Sequence, residues 1–88
     1  MPTLIMFCGI VIAMFRELGE RHAEPHFHAR YGSHRASFDF GGNLIAGSFP
    51  GKQRKLVAAW AALHRDELAA NWDLLPCGEA PYRIEPLR

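Results

Sequence analysis

The sequence has 88 residues, of which 49% are hydrophobic, enough for one domain with a small core. Ten basic residues against nine acidic ones leave a formal net charge of +1. This balance excludes the strong overall positive charge of a dedicated nucleic-acid-binding protein, although a local basic patch stays compatible with it. The composition therefore predicts a single domain over residues 1–88.

The first apolar run extends from Leu4 to Phe15 and is interrupted only by Gly9. It is shorter than the roughly 20 residues of a membrane-spanning helix, and no Lys or Arg precedes it as in a signal peptide. Its β-branched residues favour two buried strands, Leu4–Cys8 and Ile10–Phe15, bent or bulged at Gly9. Continuous apolarity predicts that both faces are covered and that at least one strand is central.

The two cysteines, Cys8 and Cys77, have a spacing that fits no metal or redox motif. Isolated cysteines without a secretion signal predict reduced thiols and a cytoplasmic protein with no membrane segment, and a disulfide between the two remains an alternative. The polar stretch from Arg16 to Pro25 is expected to be a mobile loop.

Apolar and polar residues alternate on both sides of Gly32-Ser33, a dipeptide that suits a two-residue hairpin turn. The register that this turn sets places Phe27 opposite Phe38 on an apolar face. On the polar face it pairs His26 with Asp39, His28 with Ser37, and Arg30 with Arg35. Gly41-Gly42 marks a second turn, which is followed by a further strand.

From Lys52 to Leu75 the apolar residues repeat about every 3.6 positions, which predicts one long amphipathic helix. The apolar stripe consists of Leu56, Val57, Trp60, Leu63, Leu68, Trp72 and Leu75. A break near Arg65-Asp66 remains an alternative, because Asp66 is a suitable cap for a second helix. The tail Tyr82-Arg83-Ile84 is expected as an edge strand or a surface segment. The predicted fold is α+β, an antiparallel sheet of four to five strands packed against one long C-terminal amphipathic helix.

An ordered series of short motifs runs through the chain: Pro2-Thr3, Gly9-Ile10-Val11-Ile12, Pro25-His26-Phe27-His28-Ala29 before Tyr31-Gly32, Gly47-Ser48-Phe49-Pro50, Trp60-Ala61 with Leu63-His64, and Asn71-Trp72. This series resembles the small bacterial family called domain of unknown function 4160, over nearly the whole chain. The chain departs from the family in its more apolar start and in the connection over residues 17–24. The resemblance implies a small uncharacterised protein encoded beside another small protein, in a toxin–antitoxin-like or mobile-element gene pair. It implies no established activity.

The polar hairpin face is the candidate partner-binding site, with His26, His28, Arg30, Arg35 and Asp39. Two arginines directly opposite each other cost stability unless an acidic group joins them, so the patch suits an acidic protein surface. We expect a non-enzymatic binding module, a regulator or inhibitor, with the product of a neighbouring gene as the candidate protein partner. The absence of aromatic side chains from this face argues against the stacking of nucleic-acid bases.

Two alternatives use the same hairpin. Imidazoles two residues apart on a strand can ligate one ion, so His26, His28 and Asp39 form a candidate metal site, of a metal-binding or metal-dependent hydrolytic protein. A fourth ligand is hard to assign, and no cofactor is expected. Ser37 beside His28 is a nucleophile–base arrangement, but no nucleophile elbow or oxyanion feature accompanies it, which disfavours an enzyme.

A third alternative concerns Lys52, Arg54 and Lys55, which lie at the start of the predicted helix. Free backbone N–H groups at a helix N-terminus attract anions, and three cations beside them would form an anion or nucleic-acid site. A solvated face of the helix explains the same residues without any ligand.

Overall fold

The computed structural model describes residues 3–15, 24–75 and 82–86. The strands and helices within these residues are, in chain order, β1 (Thr3–Phe7), β2 (Ile10–Ala13), β3 (His26–Tyr31), β4 (His34–Asp39), β5 (Leu44–Gly47), α1 (Gly51–Leu63) and α2 (Arg65–Leu74). The strands form one antiparallel sheet in the order β1-β2-β3-β4-β5, so each strand pairs with its neighbour in sequence. The predicted α+β class with an antiparallel sheet is confirmed.

The first apolar run is a hairpin and not a bent strand. Cys8 and Gly9 have φ angles of 50° and 75°, and a two-residue turn with positive φ at both positions matches the twist of the strands that it joins. The turn leaves β1 at the edge of the sheet. Met6 on β1 is 65% exposed, so the prediction that both faces of these strands are covered is wrong for β1. Cys8 is exposed, with a free thiol.

The core lies between the sheet and the helices. The ring of Trp60 on α1 lies 5.9 Å from that of Phe7 and 5.6 Å from that of Phe27, measured between centroids. Trp72 on α2 contacts the ring of Phe40 at 6.2 Å. Both tryptophans are buried, which confirms their predicted place against the sheet.

The single long helix of the sequence prediction is two helices that meet at His64. The His64 backbone leaves helical geometry at φ −118° and ψ 24°, and its ring Nδ1 lies 2.7 Å from Oε1 of Glu67. Leu63, placed on the buried stripe by its spacing, is 70% exposed, because the buried face of α1 is formed by Val57, Trp60 and Ala61 and Leu63 lies outside it. The break is the alternative that the sequence left open, with His64 rather than Asp66 at the N-cap of α2.

Residues 82–86 join three elements of the core. Ile84 is 1% exposed. The hydrogen bonds of the segment run from Ile84 N–H to Leu4 O (3.3 Å), from Trp60 Nε1–H to Glu85 O (2.7 Å), and between the Asn71 side chain and the Tyr82 backbone in both directions (2.8 and 2.7 Å). The tail is therefore not an edge strand; its residues Tyr82, Arg83 and Glu85 are exposed, as expected of a surface segment, while the side chain of Ile84 completes the core.

Two sequence predictions lie outside the described residues. They are Cys77, with its reduced or disulfide-bonded state, and the loop from Arg16 as far as residue 23. Among the described residues, no helix is long and apolar enough to cross a membrane.

Candidate partner-binding face

The hairpin of β3 and β4 has the predicted register. Its Cα partners are His26 with Asp39, Phe27 with Phe38, His28 with Ser37, Ala29 with Ala36, Arg30 with Arg35, and Tyr31 with His34. Phe27 and Phe38 are fully buried, while Arg30 and Arg35 are exposed. The predicted apolar and polar faces of the hairpin are therefore confirmed at these four residues.

The sheet face opposite α1 holds a cavity of about 500 Å³. We call this surface the cavity face and define it by Val11, Ala13, Phe15, His28, Arg30, Arg35, Ser37 and Ala46, all of which line the cavity. The strand register explains the set, because Val11 is opposite Arg30, Ala13 is opposite His28, and Ser37 is opposite Ala46. Side chains opposite one another in neighbouring strands share a face.

Two stacked rings, those of Phe15 and His28, line the cavity. The imidazole of His28 lies flat on the ring of Phe15, with centroids 4.1 Å apart and an interplanar angle of 6°. The Oγ of Ser37 lies 3.3 Å from Nδ1 of His28. These contacts fix the orientation of the imidazole. The expectation that no aromatic side chain lies on this face is wrong, because Phe15 continues the alternation of Val11 and Ala13.

Arg30 and Arg35 are the charged part of the cavity face. They are Cα partners across the hairpin. Neither guanidinium forms a salt bridge with a carboxylate of the described residues. Two like charges directly opposite each other in a sheet are destabilising, so this pair weakens the hairpin while no anion is bound.

His26 does not belong to the surface patch in which the sequence placed it. It is only 7% exposed, with its Nδ1 2.7 Å from the backbone oxygen of Glu24. Its ring contacts Trp72, at a centroid distance of 5.2 Å. The polar–apolar alternation assigned it to the solvent face, but the residue begins its strand, where α2 packs against the sheet.

Asp39 stabilises the turn between β4 and β5. Its Oδ1 accepts the backbone N–H groups of Gly41 and Asn43, each at 2.9 Å. The hydrogen bond from the Asn43 backbone N–H is the main reason why the pKa of this carboxyl lies below its ordinary value. The carboxylate therefore has a structural role in its own turn, and the expectation that Asp39 contacts a partner stays a prediction.

Of the candidate metal ligands, the imidazoles of His26 and His28 lie against each other with centroids 5.0 Å apart, while the Asp39 carboxylate is held by its own turn. The imidazole of His26 is turned to the Glu24 backbone and the carboxylate of Asp39 to its turn. Within residues 3–15, 24–75 and 82–86, no group of three or more His, Cys, Asp or Glu side chains is arranged to hold a metal ion. The described residues thus offer no ligand set for the metal alternative.

Lys52, Arg54 and Lys55 are exposed on the first turn of α1. None of the three lines the cavity, so this basic group is separate from the arginines of the cavity face.

The geometry defines a small two-layer α+β module, with helices on one sheet face and a basic cavity on the other. Residues 9–73 match the family model described as Domain of unknown function (DUF4160), and the chain belongs to that family. The matched range contains every residue that defines the cavity face. No curated protein and no solved structure matches the chain.

Proposed function

We propose that the protein is a non-enzymatic binding module whose cavity face binds an acidic segment of a partner protein. The observation that carries the proposal is the exposed Arg30–Arg35 pair, which has no salt bridge to a described carboxylate and lies beside a cavity of about 500 Å³. A carboxylate between the two guanidinium groups would relieve their repulsion and accept bidentate hydrogen bonds.

The composition of the cavity favours a peptide over a nucleic acid. Val11, Ala13 and Ala46 line it together with the Phe15–His28 stack, and such apolar surface suits the carbon atoms of side chains. A net charge of +1 supplies little of the sequence-independent attraction by which proteins hold a phosphate backbone. The basic group at the start of α1 does not extend the arginine pair.

The Ser37–His28 contact supports a binding role. A serine nucleophile needs a base within close hydrogen-bond reach and a donor site for the developing oxyanion. The distance of 3.3 Å from Oγ to Nδ1 is at the long end for a hydrogen bond of a hydroxyl group. The contact accounts for the fixed orientation of the ring without any chemical step.

The test is a double substitution, Arg30→Ser with Arg35→Ser. We expect an unchanged or slightly raised melting temperature, because a like-charged cross-strand pair is removed. We expect the same variant to bind the partner protein more weakly, by a few kcal/mol of binding free energy, if either arginine is a hot spot. The measurements are thermal melting, and pull-down or titration against the neighbouring gene's product and against random duplex DNA.

The matched control is Lys52→Ser with Arg54→Ser, which removes the same charge from the exposed start of α1. The proposal requires that this control still binds the protein partner. A double arginine variant that binds normally but melts at a much lower temperature would show that the pair is structural. The regulator or inhibitor role in a toxin–antitoxin-like or mobile-element gene pair rests on the family resemblance and stays a prediction.

A further inference from the structure

Building on the proposed function, we infer that the acidic segment binds in extended form along β5 as a sixth strand of the sheet, with alternate acidic side chains turned to the arginines. The inference combines the edge position of β5 with the cavity beside it. In this mode of recognition, main-chain hydrogen bonds supply affinity and the pockets for alternate side chains supply specificity.

The edge strand β5 lacks protection from its side chains, and only its short length and its register shift oppose a further strand. Natural edge strands carry Lys, Pro or inward-pointing charges that discourage a further strand. The sequence from Leu44 to Gly47 contains none of these, and Ile45 is 48% exposed. The strand is short, and the register shift beside Ala46 is a bulge. Backbone pairing alone would therefore be weak, and the arginines have to contribute.

The opposite edge is already engaged. Ile84 donates its backbone N–H to the carbonyl of Leu4 on β1 at 3.3 Å. The side chain of Ile84 is buried in the core, so a strand added beside β1 would have to displace a segment that the fold needs. Among residues 3–15, 24–75 and 82–86, the edge at β5 is the one that remains for a partner strand.

The cavity continues from the arginines to this edge. Ala46 and Gly47 of β5 line it together with Arg35. Neighbouring strands lie about 4.8 Å apart, so a sixth strand would run about 10 Å from β4, within the combined reach of an arginine and a glutamate side chain. Ala46 and Gly47 have little or no side chain that would separate the arginine from such a glutamate.

The backbone at the end of β5 has the required orientation. Ser48 donates its N–H to the carbonyl of Arg35 on β4 at 3.1 Å. Because N–H groups alternate in direction along an antiparallel ladder, the N–H of Gly47 points away from β4. This donor faces the edge at the point where the cavity opens.

The experiment uses a synthetic heptapeptide in which glutamate alternates with threonine, titrated into the full chain by isothermal calorimetry. Two further peptides carry N-methyl groups, one on all glutamates and the other on all threonines. Alternate N–H groups of a strand point to opposite sides, so strand addition predicts that one methylated peptide loses binding at least about tenfold and that the other retains it.

Two variants of the protein complete the test. Ile45→Glu places on β5 a negative charge that repels an acidic strand, and is expected to weaken binding of the unmethylated peptide at least about tenfold. Met6→Glu adds the same charge at an exposed position of β1 and is expected to leave binding unchanged. Melting temperatures of both variants establish that each is folded, and slowed hydrogen exchange at the Gly47 amide reports the new backbone bond.

The outcomes separate the two proposals. If the unmethylated peptide shows no binding at about 1 mM, the proposed function and this inference both fail. If binding depends on Arg30 and Arg35 but the two methylated peptides bind alike, the acidic segment lies on the face without pairing, and only the strand-addition inference is overturned. Equal loss in Ile45→Glu and Met6→Glu would overturn it as well.

Discussion

Trp60 is a fully buried side chain with a polar group at one end. Its indole N–H donates to the carbonyl of Glu85 at 2.7 Å, and the ring contacts Phe7, Phe27 and the imidazole of His64. A buried N–H without a partner would cost free energy. The C-terminal segment supplies that partner, so the tryptophan depends on a residue far away in sequence.

Trp60→Ala is expected to lower the free energy of unfolding by about 3–5 kcal/mol, because the substitution removes a fully buried ring and leaves a cavity. Leu63→Ala on the same helix is the control, since Leu63 is 70% exposed and should cost well under 1 kcal/mol beyond helix propensity. Urea denaturation measures both. A loss below about 1 kcal/mol for Trp60→Ala would contradict its place in the core.

Asp39 makes the stability of the β4–β5 turn depend on pH. Its pKa is lowered in the folded state, chiefly by the Asn43 backbone N–H. The charged form is therefore favoured by folding, and its contribution is present above the ordinary value of 3.8 and is lost as the pH falls through the lowered value.

We expect Asp39→Asn to lower the free energy of unfolding at neutral pH by about 1 kcal/mol, because a charged acceptor is replaced by a neutral one. Under acidic conditions the variant and the parent should converge. Denaturation across this pH range measures the difference. A constant gap between the two proteins at every pH would show that the carboxylate is not the acceptor that matters.

At the residue scale, the alternation of polar and apolar residues predicts which face of a strand a side chain occupies. It does not predict where along the strand another element covers that face. It places Arg30 and Arg35 correctly: both lie one residue from the ends of their strands at the β3–β4 turn, and both are exposed. It fails for His26 because α2 packs against the start of β3, a contact with no local signal. The same alternation is sufficient to place Phe15 on the cavity face, because it follows Val11 and Ala13 at steps of two.

Among the elements, β5 has a sterically restricted glycine at its end and another in the turn that precedes it. Gly47 has φ 84°, and a Cβ there would come within 2.9 Å of the Cα of Ala36. Gly42 has φ 85°, and a Cβ there would lie 2.8 Å from the Cα of Ala58 on α1. Both glycines let one backbone approach another more closely than any side chain would permit.

Gly47→Ala is expected to lower the free energy of unfolding by about 3 kcal/mol or more, since backbone strain adds to a clash with β4. Gly32→Ala is the matched control. Its φ is 59°, and a Cβ there would meet no atom within 4 Å, so strain alone should cost about 1–2 kcal/mol. Equal losses in thermal or urea denaturation would mean that close packing at Gly47 is unimportant.

The elements themselves differ in how far the sequence predicts them. The β3–β4 register follows from the turn and the alternation, because a shift by one residue would bury the arginines. The sequence offers a break near Arg65-Asp66 only as an alternative, because the apolar repeat continues across it and alanines favour helix on both sides. The local signal is the acidic first turn of α2, where Glu67 contacts the ring of His64, and the apolar residues Leu68 and Trp72 are buried beyond the break.

At the scale of the molecule, residues 82–86 connect α1, α2 and β1. Ile84→Ala is expected to cost about 2–5 kcal/mol, because the side chain is buried in the shared core. Tyr82→Ala is the control: its side chain is 72% exposed, and its bonds to Asn71 use the backbone. Chemical denaturation compares the two, and a larger effect at Tyr82 would contradict the described path of the segment.

The way in which residues 82–86 close the core has a consequence for the time course of folding. Each strand of the sheet pairs with the strand next to it in sequence, so β1 to β5 assemble through contacts that are local in sequence, which favours fast formation. The contact of Ile84 with Leu4 instead closes a loop of nearly the whole chain, which carries a larger entropic cost. On the ribosome, a chain that has emerged only as far as α2 still lacks this contact. The nascent protein should therefore pass through a state with a formed sheet and a Trp60 indole N–H that lacks its acceptor, and should become resistant to proteases only after residue 84 has emerged.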